Sequence, residues 1–184
     1  MNDEIKIITP HGGYQNLKSY QIAEIVYDGT VKFCSRFINP RSRTTDQMMQ
    51  VARSGKQNIA EGSMASGTSK KTELKLVSVA RASLEELLLD YQDYLRQNGL
   101  PLWVKDDPKA QEVRKLGSQS NRSYMSYKRY IEEQPGEIAA NTLVCIIHKT
   151  NYLLDQQLRQ LEQQFLHEGG FTERLYKARK ETRG

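Results

Sequence analysis

The first candidate for chemistry in this sequence is a pair of glycines, Gly62 and Gly67, with four residues between them. This spacing occurs in phosphate-binding loops, where backbone N–H groups hold the phosphates and a lysine directly after the second glycine reaches them. Here Thr68 and Ser69 follow Gly67, so the lysine is displaced to Lys70. The segment would also follow a helix, whereas a phosphate-binding loop follows a strand. We therefore interpret it as a small-residue turn between helices.

Metal and nucleophile chemistry have little support in the sequence. A di-metal centre in a helical bundle takes Glu-x-x-His from two helices, and this sequence has no such pair. Glu86 and Asp90 share a helical face and are interpreted as solvated acids. Cys34 and Cys145 are each flanked by apolar residues, which predicts buried, reduced thiols rather than a disulfide. Because neither cysteine nor any serine has catalytic surroundings, we expect no enzyme, no metal and no cofactor, unless a site is assembled across an oligomer.

Basic side chains are the remaining candidates for function. The chain has a net charge of +5, which favours polyanionic partners. Residues 136–168 carry two basic and four acidic side chains, whereas residues 169–184 carry five basic and two acidic ones. Phosphate contact needs several basic groups acting together, since counterion release supplies much of its free energy. The predicted nucleic-acid-binding residues form three clusters, at the first turn (Arg41 and Arg43, beside Arg36), around the second turn (Arg53, Lys56, Lys70, Lys71 and Lys75) and in the C-terminal tail (Lys177, Arg179 and Lys180).

A tyrosine-rich segment near residue 125 offers another contact to nucleic acid. Tyr124 and Tyr127 are interleaved with Arg122, Lys128 and Arg129, and exposed tyrosine rings can stack on unpaired bases. The alternative, which we favour, is that these tyrosines anchor their segment to the rest of the protein.

The first two helices are predicted from the spacing of apolar residues. A first helix is expected over residues 17–38 and ends before Pro40, because the residue before a proline avoids the helical conformation. Thr44 followed by Gln47 predicts a capping box at the start of a second helix. Its inward face would include Gly55, which costs about 1 kcal/mol relative to alanine inside a helix. A close helix crossing would explain why glycine is tolerated there.

The rest of the chain adds two long helices and a small-helix insert between them. Ser69 is the expected N-cap of a third helix that Gly99 and the following proline end. A fourth helix is expected over residues 137–167, and a short basic helix follows it. Long helices joined mostly by short turns predict an all-α, antiparallel up-and-down four-helix bundle. The predicted organisation is an N-terminal arm (1–15, with a short strand at Ile5, Ile7 and Ile8), the bundle (16–168, with a helical insert over 100–135 between helices 3 and 4) and a basic C-terminal tail (169–184).

Three segments resemble a known family: Asn58-Ile59-Ala60-Glu61-Gly62, residues 16–20 (NLKSY) and residues 82–87 (ASLEEL). They are similar to the bacterial four-helix bundle proteins encoded in intervening sequences of 23S rRNA genes. The same family includes the accessory variability determinant of diversity-generating retroelements. The insert and tail resemble its longer branch, the four-helix bundle suffix proteins. In this reading the five signature residues are structural.

The resemblance implies a homo-oligomer, often a pentamer, with a basic surface or channel and no catalytic activity. In the retroelement relatives it implies an accessory protein that binds a reverse transcriptase and nucleic acid. The sequence departs from the family pattern where many relatives have two adjacent arginines, because Met49 and Gln50 stand there. Arg53 and Lys56 compensate for this in part.

The function expected from the sequence is a non-catalytic, homo-oligomeric adaptor that binds RNA or DNA through basic surface residues. The alternative is a protein–protein interaction scaffold, for example a polymerase or reverse transcriptase accessory protein without nucleic-acid contact. Its partner surface would lie on the insert around Trp103 and the tyrosines. An acidic start at Asp3 and Glu4 and an apolar run of only five residues, Leu143–Ile147, predict a cytoplasmic protein without a membrane span.

Overall fold

The structure, a computed structural model, describes residue 8, residues 10–168 and residues 170–183. Its regular elements are all helical, and no strand occurs among these residues. The strand predicted in the arm falls mostly outside the described residues, and Ile8 lies in a bend. A 3-10 turn, Tyr14–Asn16, precedes the first helix, and a π-helical turn, Arg129–Glu133, precedes the sixth. The helices are α1 (Lys18–Phe37), α2 (Arg43–Ala65), α3 (Lys70–Gln97), α4 (Pro108–Ser118), α5 (Tyr124–Lys128), α6 (Gly136–Glu168) and α7 (Phe171–Arg183).

Helix α2 begins and ends differently from the sequence prediction. Its N-cap is Ser42, whose hydroxyl accepts from the Thr44 N–H at 3.2 Å. Gln47, expected to complete a capping box, donates to Glu86 of α3 at 3.1 Å instead. At its other end α2 continues to Ala65, inside the turn predicted between Gly62 and Gly67, and the Ser63 hydroxyl donates to the Gly12 carbonyl of the arm at 2.9 Å. Contacts to other elements therefore move both ends of this helix.

The predicted limits of α3 and α6 agree with the structure to within one or two residues. Ser69 caps α3 by accepting from the Thr72 N–H at 3.1 Å. The chain leaves α3 through Gly99, whose φ is +64°, in the left-handed region that favours glycine. Asp107 caps α4, with Pro108 at its first position.

The four long helices pack around a continuous core. α1 contacts α2 and α6, and α3 contacts the same two helices. In the core, the Phe33 ring packs edge to face against Tyr91 of α3 at 4.9 Å between centroids. The Tyr91 hydroxyl in turn donates to Thr30 at 2.9 Å. Fully buried large side chains from all four helices include Phe33, Met48, Ile59, Leu84, Leu87, Tyr91, Leu143, Ile147 and Leu154.

Two glycines mark where helices approach closely. A Cβ at Gly55 would lie 2.8 Å from Leu84 of α3, and a Cβ at Gly29 would lie 2.6 Å from Leu143 of α6. Neither contact leaves room for a methyl group. The close crossing expected at Gly55 is confirmed.

The insert is fastened to the start of α6 and to the end of α1. Asn141 accepts from the Trp103 N–H at 2.8 Å and donates to the Pro101 carbonyl at 2.9 Å. Arg36 donates to the Ile131 carbonyl at 2.5 Å. α4 packs along α6, which explains why residues 139–147 of α6 are buried on every side.

Within the described chain, no helix combines the length and apolar character that a membrane crossing requires. Cys34 and Cys145 are both buried and free, as the sequence predicted.

Candidate nucleic-acid interface

The first two predicted basic clusters lie along α2 and at its two ends, and the third lies on α7. Arg41 and Arg43 are exposed at the start of α2, whereas Lys70 and Lys71 follow its end. A helix of 23 residues is roughly 35 Å long at 1.5 Å per residue. Arg41 and Arg43 are therefore too far from Lys70 and Lys71 to contact the same phosphate group.

Arg36, the neighbour of the first cluster, has a structural role. Its guanidinium donates to two carbonyls of the insert, those of Ile131 and Gln134, and lies 4.4 Å from the Phe37 ring centroid. These contacts hold α1 to the insert. Arg41 and Arg43 have no ion pair among the described residues and remain open to a ligand.

In the second cluster, two cations are already engaged. Lys70 pairs with Glu73 at 3.0 Å, and both side chains are largely buried. Lys56 lies over the Tyr27 ring, with its Nζ 4.8 Å from the centroid. In both arrangements the positive charge already interacts with another side chain of the protein, a carboxylate for Lys70 and an aromatic ring for Lys56.

The exposed members of this cluster are Lys71, Lys75 and Arg53. None forms an ion pair within the described part of the chain. Lys71 and Lys75 are four residues apart on α3 and therefore neighbours on one helical face, where like charges repel. They form a small cationic surface without a counter-charge of its own.

The direction of α3 adds to this positive potential. Lys70 and Lys71 occupy its first turn, and unpaired backbone N–H groups make a helix N-terminus electropositive. A cation at that position costs roughly 0.3–1 kcal/mol when it is exposed. An anion bound between the lysines would relieve this repulsion.

The tail meets the second cluster, a proximity that the sequence did not predict. A cavity of about 300 Å³ separates the α2–α3 turn from the start of α7 and is lined by Lys70, Lys71, Phe165, Phe171 and Glu173. The Glu173 carboxylate accepts from the Gly170 N–H and so caps α7. Two helix N-termini thus face one cavity. The remaining tail cations, Lys177, Arg179 and Lys180, are exposed farther along α7.

Phe165 and Phe171 are site residues that sequence reasoning missed. Its helical spacing from Leu154, Leu158 and Leu161 predicts that Phe165 faces the core, yet it is 37% exposed at the cavity. The glycines at positions 169 and 170 were a usable signal, because adjacent glycines commonly end a helix and let the chain change direction.

The family signature has a packing role in this structure. Asn58 donates to the Ser54 carbonyl of its own helix at 2.9 Å, and Ile59 is fully buried. A Cβ at Gly62 would lie 3.4 Å from the Glu73 carbonyl, so this glycine lets α2 and α3 approach. Ala60 is half-buried. Glu61 is exposed and forms no ion pair with any described residue.

The tyrosines of the insert serve mainly as anchors. Tyr127 is buried, the Tyr124 hydroxyl donates to Glu132 at 2.7 Å, and the Tyr130 hydroxyl donates to Glu112 at 2.5 Å. Hydrogen bonding to Glu132, after burial, raises the pKa of Tyr124 well above its usual value. These rings are not arranged for stacking on bases, which favours the anchoring interpretation.

Comparison with known proteins found no matching family model, no similar curated protein and no similar solved structure. The function is therefore inferred from the arrangement of the residues themselves.

Proposed function

We propose that this chain is a non-catalytic adaptor that binds RNA or DNA through the α2–α3 turn and the adjoining tail. The observation that carries the proposal is the placement of Lys71 and Lys75, exposed and unpaired on α3, with Lys71 at the electropositive end of that helix. An arrangement that is unfavourable in the free protein becomes favourable when phosphate is bound.

A phosphate chain has more than one group to contact near this turn. Arg53 is exposed on α2, and Lys177 and Lys180 share a face of α7 at a spacing of three residues. Phe165 at the cavity edge offers a ring on which an unpaired base can stack. These features favour a single strand or a loop over a regular duplex.

The architecture proposed for the adaptor is an antiparallel up-and-down four-helix bundle made of α1, α2, α3 and α6. Its support is the packing of α1 and α3 on both α2 and α6, together with the short connections after α1 and α2. We also propose membership of the bundle family resembled by the signature at residues 58–62, and with it a homo-oligomer, pentameric in that family. In such an assembly, weak phosphate contacts on each subunit add up along one strand.

The test is a binding titration of the purified protein with labelled single-stranded RNA, single-stranded DNA and duplex DNA across a range of salt concentrations. A linear fall of log affinity with log salt, by about 0.7 per phosphate for a single strand, would count the contacts. The double variant Lys71→Glu/Lys75→Glu should weaken binding to every sequence and reduce the slope by about two.

The variant also separates binding from folding. Glutamate in the first turn of α3 suits the helix dipole, so the free energy of unfolding should not fall. A matched control is Lys32→Glu/Lys105→Glu, which makes the same charge change at exposed lysines outside the site. If both double variants weaken binding equally, the assignment of the site to the α2–α3 turn is wrong.

A second candidate, a scaffold for a protein partner such as a polymerase or reverse transcriptase, is favoured by one feature of the insert. Val104 and Leu102 are 70% and 46% exposed on either side of the anchored Trp103, and exposed apolar side chains mark contact sites when they cluster. This scaffold would be supported by a protein that co-purifies with the chain after nuclease treatment and no longer co-purifies with the double variant Leu102→Ser/Val104→Ser.

A further inference from the structure

A separate cavity lies where the insert packs on α1 and α6. Val113 and Gly117 of α4 form one side of it, and Ile22 of α1 and Ile146 of α6 form the other. Its volume is about 190 Å³. An apolar cavity of about 150 Å³ accommodates benzene, so one six-membered ring fits here.

The hydroxyl of Tyr127 opens into this cavity. Tyr127 is only 2% exposed, it lines the cavity, and its side chain forms no hydrogen bond with another described residue. Its neighbours in sequence differ, since Tyr124 and Tyr130 both donate to glutamates. A Cβ at Gly117 would come within 3.0 Å of Tyr127 Oη, so glycine there leaves space beside the hydroxyl. A ligand in the cavity can therefore accept a hydrogen bond from this hydroxyl in place of solvent.

Two cationic side chains line the same cavity, and none of the described residues that line it is acidic. Arg114 is held in place by its hydrogen bond to the Lys105 carbonyl at 2.5 Å. Its charge also acts on the Cys145 thiol, whose pKa is raised by burial and lowered in part by Arg114. Lys149 lies at the exposed edge, with its Nζ 5.5 Å from the Tyr152 ring centroid. The charge of Asp107 also acts on Cys145 and raises its pKa, but the two cations that line the cavity leave a net positive charge there, which favours an anionic ligand.

We propose that this cavity binds a small monocarboxylate with an aromatic or branched aliphatic body. The carboxylate lies between Arg114 and Lys149 and accepts a hydrogen bond from Tyr127, and the body packs against Ile22 and Val113. A monoanion suits the site because most of its wall is apolar. A dianion would lose more hydration than one hydroxyl and two cations replace.

The experiment uses the full chain with benzoate as the probe, and benzyl alcohol and benzylamine as the neutral and cationic analogues. Benzoate should raise the midpoint of thermal unfolding in a concentration-dependent way. Cys145, which lines the cavity, provides a local measurement by iodoacetamide labelling and peptide mass spectrometry. At ten times the dissociation constant its labelling rate should fall about tenfold. The labelling rate of Cys34, which lies elsewhere in the core, should decrease less.

Two variants test the assigned contacts. Tyr127→Phe should weaken benzoate binding by about tenfold, the usual loss for a hydrogen bond to a charged group. It should not lower the unfolding midpoint of the free protein, because the hydroxyl has no partner to lose. Lys149→Met should weaken benzoate binding as well, and Lys32→Met, at an exposed lysine outside the cavity, should leave it unchanged.

Three outcomes would overturn the proposal. One is the absence of any midpoint shift at millimolar benzoate, and another is an equal shift with benzyl alcohol, which would show that the carboxylate is not recognised. The third is full benzoate affinity in both Tyr127→Phe and Lys149→Met. None of these outcomes bears on nucleic-acid binding at the α2–α3 turn, since no residue is shared between the two sites.

Discussion

At the scale of single residues, Asp90 carries a charge that its surroundings disfavour. Its Oδ2 is buried without a hydrogen-bond partner in the described part of the chain. Burial raises the pKa of its carboxyl, and the nearby charges of Glu86 and Asp93 raise it further. The sequence grouped Asp90 with Glu86 as a solvated acid, which describes the exposed Glu86 but not Asp90. Asp90 lies in a cavity beside Met48 and Tyr94, and one-dimensional spacing does not reveal such a cavity.

The variant Asp90→Asn should therefore be more stable than the parent protein at pH 7. Because the pKa of Asp90 is higher in the folded than in the unfolded state, the ionised carboxyl lowers stability at neutral pH. This cost disappears as the pH falls through the raised pKa. The stability difference measured by urea unfolding should accordingly shrink toward pH 4. Asp106→Asn, an equal charge change at an exposed aspartate, should show no such trend. A gain in Asp90→Asn that is constant with pH would contradict the assignment.

The availability of each basic residue was only partly predictable. Lys70 and Glu73 are three residues apart on one helix, so their ion pair was visible in the sequence. The contact between Lys56 and Tyr27 was not visible in the sequence, because it joins two different helices. In the second cluster, Lys71, Lys75 and Arg53 are exposed, and none of them has an ion pair with a described residue of another element.

At the scale of elements, the ends of helices could be predicted where the signal is local. Ser69 and Asp107 cap α3 and α4 through their own backbone neighbours. The start of α2 could not be predicted in this way, because Gln47 donates a hydrogen bond to Glu86 of α3 instead of closing a capping box. The π-helical turn at residues 129–133 likewise coincides with the bond from Arg36 to Ile131. Tertiary contacts decide these two places.

The crossing of α2 and α3 supplies an element-scale prediction. Gly55→Ala should lower the free energy of unfolding by roughly 1–2 kcal/mol, because overpacking against Leu84 outweighs the gain in helix propensity. Leu84→Ala alone should cost about 2–5 kcal/mol. In the Gly55→Ala background it should cost less, since the new methyl group occupies part of the vacated space. Chemical denaturation of the four proteins measures this coupling, and strict additivity would show that the two residues do not press on each other.

At the scale of the whole molecule, charge and packing are separated along the chain. The α2–α3 turn and tail carry exposed cations, whereas the middle of α6 is enclosed by α1, α3 and the insert. The all-helical class and the order of the long helices were predictable, because periodic apolar residues determine both. The shared cavity between the start of α7 and Lys71 was not predictable, since it joins segments about 100 residues apart in the chain. The sequence therefore identified the basic residues without showing that the start of the tail lies beside Lys70 and Lys71.

The proposed homo-oligomer predicts a dependence of affinity on oligonucleotide length that a single subunit would not show. If several copies present Lys71 and Lys75 to one strand, affinity should rise steeply with oligonucleotide length until the strand spans neighbouring subunits. Oligonucleotides of increasing length would be titrated at one salt concentration, and sedimentation under the same conditions would give the number of subunits. In a monomer, affinity should increase only slightly with length, through the number of overlapping binding positions. If the protein sediments as a monomer and its affinity hardly changes with oligonucleotide length, phosphate binding would stand but repeated contacts from several subunits would not explain it. If the protein is assembled and Lys71→Glu/Lys75→Glu abolishes a steep increase of affinity with length, the assembly binds nucleic acid through this surface.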